Sequence, residues 1–249
     1  MKRRQVLGGV AGAVALSMGG CLGSAREEYP WPVVEEESLD GWERLSERTD
    51  EYDVSYRGID ALSVHERGHT YDYVELRESV ADLTDEEIDR SLARFGVSRL
   101  TLEGIGRRLA TPERLVDDAM RGVESRFESR GIESVERVDP VEPLPEVDGE
   151  IVEYRGETAV PSFSREISAY SLSTTIGFDE GSLDTEGVFA VWKPEDDTAY
   201  VAGGMYPAEG ALESFVPDTG GFDVASALGL EVDPAEFRAE IVALIEATG

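Results

Sequence analysis

Asparagine is absent from this chain, glutamine occurs once, as Gln5, and lysine twice, as Lys2 and Lys193. Each shortage excludes something. Without asparagine there is no Asn-x-Ser/Thr acceptor for N-glycosylation, and beyond Gln5 there is no side-chain amide to line an oxyanion hole. Cys21 is the single cysteine, so the chain makes no internal disulfide. The two histidines, His65 and His69, confine imidazole chemistry to one short stretch. Basic residues number 23 against 53 acidic ones, a net charge of −30. No basic patch is left to displace counterions from nucleic acid, which is excluded as a partner. Neither a Gly-x-Ser-x-Gly elbow nor a glycine-rich phosphate loop is present, and Gly104-Ile105-Gly106 lacks the rest of a dinucleotide fingerprint.

What the chain has in abundance is carboxylate. In dilute buffer such charge strains a compact fold by self-repulsion. In molar salt the Debye length falls to ~3 Å and the repulsion is screened. Hydrophobic residues still make up 41% of the chain, enough for a core, which excludes an acidic disordered protein. Abundant Asp and Glu, arginine in place of lysine and no asparagine give a balance that resembles haloarchaeal surface proteins. The resemblance implies a protein that works in concentrated salt. Asp179-Glu180-Gly181 and Asp196-Asp197 lack calcium-loop spacing and read as solvated turns.

Lys2, Arg3 and Arg4 form a basic head, Val6 to Met18 is uncharged and mostly apolar, and Gly19-Gly20-Cys21 closes the segment. The apolar run is too short for a ~30 Å hydrocarbon core, which takes ~20 helical residues, so it reads as an export signal rather than a span. Arg3-Arg4-Gln5-Val6-Leu7 followed by Leu16-Ser17-Met18-Gly19-Gly20-Cys21 resembles a twin-arginine (Tat) lipoprotein signal, with Lys2, Val6 and Met18 departing from the usual residues. The resemblance implies export of an already folded protein through Arg3 and Arg4, cleavage before Cys21 and lipid on the Cys21 sulfur. The expected organisation is a signal peptide over residues 1–20, a tether over 21–39 and a single extracellular domain over 40–249. That places the domain on the outer face of the cell membrane, with the membrane as partner through the anchor. Within the tether, Trp31 is a candidate to dock back on the domain.

Along the domain, residues 42–76 read as an antiparallel meander, with Val54 and Tyr56, Leu62 and Val64, and Tyr71 and Tyr73 alternating. Thr84 and Glu87 form a capping box that predicts a short helix carrying Ile88, Leu92 and Phe95 on one face. Val97 to Leu102 is a strand. Thr111-Pro112 opens a helix in which Leu115, Ala119, Val123 and Phe127 recur every fourth residue until Gly131. Pro140, Pro143 and Pro145 mark an irregular connection. Strands follow at 150–158, 164–175, 187–193 and 198–206, the last two joined by a turn at Pro194 to Asp197. Asp233-Pro234 opens a helix over about 234–247 with Phe237, Ile241, Leu244 and Ile245 on one stripe. This order predicts an α+β fold, an antiparallel sheet with helices packed on one face. From about 84 to 206, the element order and the Gly203-Gly204-Met205-Tyr206-Pro207 strand end are similar to uncharacterised haloarchaeal lipoproteins and, remotely, to PsbP-like domains. That similarity implies a surface domain and carries over no catalytic residue.

One motif promises chemistry. His65-Glu66-Arg67-Gly68-His69 spells His-Glu-x-x-His, which on a helix puts two zinc ligands on one face and a general base beside them. A third ligand would be Glu87 or Asp89. The residues around it favour extended chain instead. Gly68 costs about 1 kcal/mol inside a helix, and Thr70 to Val74 is β-rich. Arg67-Gly68 suits a hairpin turn that sorts Leu62, Val64, Tyr71 and Tyr73 onto one face and Ser63, His65, Thr70 and Asp72 onto the other. Arg67 also departs from the uncharged middle positions that a zincin resembles. The leading expectation is a lipid-anchored surface domain with a non-catalytic binding or structural role and no cofactor. A tethered zinc hydrolase using His65, His69 and Glu66 is the alternative, and a solute-binding component is a third, favoured by an enclosed pocket.

Overall fold

The computed structural model describes residues 29–56, 59–84, 91–117, 119, 122, 132–138, 147–169, 172–212 and 233–249. Nine strands are described: β1 (Trp42–Tyr56), β2 (Ile59–Tyr73), β3 (Arg94–Glu103), β4 (Ile132–Val138), β5 (Gly149–Val160), β6 (Phe163–Ala169), β7 (Leu172–Phe178), β8 (Gly181–Glu195) and β9 (Thr198–Pro207). Helices are α1 (Val74–Leu83), α2, helical over 112–117, and α3 (Pro234–Glu246). Seven strands form one sheet in the order β1-β2-β3-β9-β8-β5-β4, with every neighbour antiparallel, while β6 and β7 pair by themselves. The fold is α+β, as the element order predicts.

Two helix starts and one strand pair follow their sequence signals closely. Asp233 caps α3 by accepting from the Ala235 amide at 2.9 Å, with Pro234 in the first turn. The Leu115 amide donates to Thr111 O at 2.9 Å, so α2 opens where Thr111-Pro112 predicts. β8 and β9 meet across Asp196-Asp197, with Glu195 opposite Thr198.

Four expectations are corrected. Residues 59–73 form one unbroken strand, so there is no turn at Arg67-Gly68; β1 and β2 instead pair from Tyr56↔Ile59 outward. Leu62 and Tyr71 are an odd number of residues apart on one strand, so they face opposite sides rather than sharing a face. Thr84 ends α1, its amide and its hydroxyl both donating to Val80 O at 3.0 and 2.8 Å, while residues 85–90 of the helix expected after it lie outside the described residues; that helix does not reach 92–95. Phe95 accordingly belongs to β3, and Leu92 precedes it. The single strand expected over 164–175 is two, β6 and β7. Residues 29–39, expected as tether, are packed on the domain. Val34 bridges Thr248, the Glu35 amide donates to Ala247 O at 3.1 Å, and Glu36–Leu39 makes a 3-10 turn.

The sheet buries both faces. On one, Phe95, Val97, Val188, Ala190 and Ala202 pack with Leu76 and Val80 of α1 and with Ile241, Leu244 and Ile245 of α3. These three α3 side chains are at most 1% exposed, and each contributes roughly 1.5–3 kcal/mol by burial. Gly204 lets α3 come this close, since a Cβ there would lie 2.7 Å from Ile241 Cδ1. On the other face Leu62, Val64, Leu100, Leu102, Val152 and Tyr154 pack with Leu115 and Val116 of α2.

Candidate functional site

Strand geometry decides what the His-Glu-x-x-His stretch can do. In β2 the odd residues His65, Arg67 and His69 face the α3 side, and the even residue Glu66 faces the other. His65 and His69 lie about 13 Å apart along the strand, four steps of ~3.3 Å. Zinc binds imidazole nitrogen at ~2.0–2.1 Å, so these two rings do not share an ion, and Glu66 reaches neither. Glu87 and Asp89, the candidate third ligands, lie outside the described residues, as do Cys21, Arg3 and Arg4. Among the described residues no three His, Cys, Asp or Glu side chains gather as a metal-binding group.

The histidines hold the N-terminal strap, residues 29–35, instead. Tyr29 stacks on His65 with ring centroids 4.0 Å apart and 16° between planes. Its hydroxyl donates to Glu103 Oε1 at 3.0 Å and lies 3.0 Å from His65 Nε2. Trp31 stacks on His69 at 4.9 Å and 13°, and the Arg67 guanidinium lies 4.9 Å from the Trp31 ring centre. His69 is buried, 7% exposed. Burial, with the nearby Arg44 charge, holds its pKa below the ordinary value. Trp31 thus docks as its sequence position suggested.

Across the sheet, Glu66 is a buried carboxylate with a structural set of partners. Its Oε1 accepts from Ser98 Oγ at 2.7 Å, and its Oε2 pairs with the Arg48 guanidinium, whose Nε is 2.6 Å from Asp50. Beside this group the sheet face carries a partly open cavity of about 280 Å³. Glycines make it: Gly96 of β3 pairs with Gly203 of β9, and both turn toward it. A Cβ on Gly96 would have its nearest neighbours at 4.0 Å, so that position looks into open space. At Gly203 a Cβ would lie 2.6 Å from Phe189 Cα, so only glycine admits the Phe189 strand there. Leu92, Ile132, Phe189 and Met205 form the apolar wall. The polar wall includes Arg94 and the buried pair Thr158 and Thr185, whose hydroxyls are 3.0 Å apart. In the sequence Gly203-Gly204 reads only as part of a strand end. A glycine inside a strand signals close backbone approach or a missing side chain, and Gly96 inside Arg94 to Leu102 is the signal that was available.

A second, more open space of about 800 Å³ lies between α3 and β5, lined by Glu153, Arg238 and Tyr206. Arg238 Nη2 meets Glu153 Oε1 at 2.8 Å, closing the main charge pair. Burial, then the Glu186 charge, raises the Tyr206 pKa, so the phenol keeps its proton.

The di-domain ARO/CYC BexL from the BE-7585A biosynthetic pathway, known from its crystal structure, is similar at 12% identity, over 83% of this chain and 79% of that one, with a TM-score of 0.17. A likeness that low transfers neither fold nor activity. No curated protein matches the chain. A family match spans residues 31–249, from the docked Trp31 through α3, and the chain belongs to that family, described as Domain of unknown function (DUF6517).

Proposed function

We propose that this member of the family is a non-catalytic binding domain, exported by its N-terminal signal, held at the outer face of the cell membrane by lipid on Cys21, with the glycine-floored cavity as its ligand site. The cavity carries the reading. Interiors hold few voids larger than a water molecule, yet here two paired glycines in central strands keep one of about 280 Å³. Concave, largely apolar spaces with a few placed polar groups are where small molecules bind. Hydrolysis has less support, because Glu66 and the two histidines point to opposite faces.

The test is Gly96→Val. Space exists for the new side chain, and a β-branched residue suits a strand. The purified domain is screened by thermal unfolding in molar salt against small organic compounds. Compounds that raise the wild-type Tm and lose that effect in the variant support the reading. No such compound, or equal effects in both proteins, refutes it.

A further inference from the structure

We infer that the cavity takes a small organic acid, with its carboxylate on Arg94 and its apolar body against Leu92, Ile132, Phe189 and Met205; this rests on the cavity being a binding site. The charged groups around the cavity divide by whether they touch a partner. Glu66 is paired with Arg48. Glu47, also at the cavity, is 3.2 Å from Arg44 Nη1. Asp72, opposite Arg94 in the β2–β3 register and fully buried, has Arg77 Nη1 at 3.1 Å. Each of these carboxylates therefore has a guanidinium in contact, although Arg48 also serves Asp50 and Arg77 also reaches Glu43. Arg94 is the guanidinium of this group that makes no such contact. Among the described residues it has no hydrogen-bond or ion-pair partner, and its Nε is buried without one. In a chain with 53 acidic side chains, a guanidinium at a cavity wall that contacts no carboxylate among the described residues is placed to receive an anion.

The kind of anion follows from the walls. An unpaired, partly buried charge is costly, and an incoming anion offsets that cost. The guanidinium fork matches a carboxylate with two parallel hydrogen bonds. A single guanidinium gives a phosphate few of the donors it needs, whereas the apolar wall rewards a hydrocarbon body. The volume lies at the small end of the ~300–1,000 Å³ range of ligand pockets. The ligand is accordingly a short-chain or amino-acid-sized acid rather than a lipid tail.

Calorimetry in molar sodium chloride tests this with hexanoate and with 1-hexanol, its uncharged counterpart of matching length. Wild type should bind hexanoate, and hexanol at least about tenfold more weakly, the scale of one charge-assisted contact. Arg94→Met should weaken hexanoate by about the same factor and leave hexanol within about twofold. Gly96→Val should abolish both. Equal binding of the two probes, or full hexanoate affinity in Arg94→Met, overturns the acid and leaves the cavity reading standing. Binding of neither probe, or binding that survives Gly96→Val, overturns both. The wild-type comparison of the two probes stands even if the Arg94 variant fails to fold.

Discussion

Glu66 and His69 show how a motif can be present in sequence and dismantled by a strand. Removing the Glu66 carboxylate leaves Ser98 Oγ without its acceptor and takes one carboxylate from Arg48, which keeps Asp50. Glu66→Ala should therefore destabilise the fold by about 1–3 kcal/mol, less than a fully buried pair because Arg48 retains a partner. Equilibrium unfolding in molar salt measures it, and a loss below ~0.5 kcal/mol would deny Glu66 that role. The histidines divide. His65 stacks on Tyr29 and is partly exposed, while His69 lies under Trp31 and is 7% exposed. His69→Ala should cost about 1–2 kcal/mol through lost stacking and packing. Zinc retained one-to-one after dialysis, and lost in the His65→Ala, His69→Ala double variant, would contradict the strand geometry.

At the scale of elements, legibility tracked how well each segment kept its period. α3 was readable because Phe237, Ile241, Leu244 and Ile245 recur at helical spacing behind an Asp-Pro start. β4 was not. Its apolar residues Ile132, Val135 and Val138 fall three apart because the strand carries an irregularity between Glu133 and Glu136, with Ser134 at φ 53°. α1 hid for a related reason. The β-rich run of β2 flows into it without a cap or break, and only Leu76 and Val80, one turn apart, betray the helix. Of the candidate site, His65, Glu66 and His69 were legible as residues, but their distribution over two faces depends on β2 continuing through Gly68. The cavity was illegible because it is made by side chains that are missing. The strap offers its own test. His69 has a lowered pKa through burial, so the neutral ring is favoured when Trp31 is docked. Docking is strongest above the undocked value of 6.5 and weakens as pH falls from there to the lower docked value. Fluorescence of Trp31 should report a release over that window, and His69→Phe, which keeps the stack without the proton, should flatten it. A pH-independent signal in the native chain would refute the coupling.

Taken whole, the molecule carries −30, and its stability should depend on screening. Below roughly 0.5 M salt the Debye length grows past ~4 Å and the Tm should fall by several degrees. An unchanged cooperative melt in low salt would refute this. No helix among the described residues is long and apolar enough to cross a membrane. In the proposed arrangement Cys21 carries the attachment. Cys21→Ser should move the protein from the detergent phase to the aqueous one, and continued partitioning into detergent would point to another mode of attachment. The docked strap then sets where the domain stands. Seven residues lie between Cys21 and Tyr29, a leash of eight steps and at most about 29 Å when fully drawn out. It leaves from the sheet face that carries His65, and the cavity lies on the reverse. A short leash on one side and a binding site on the other give the domain a front and a back. In the proposed arrangement the back would be moored to the bilayer and the front turned to the medium, so that a ligand of the cavity would come to it from outside the cell rather than from the lipid.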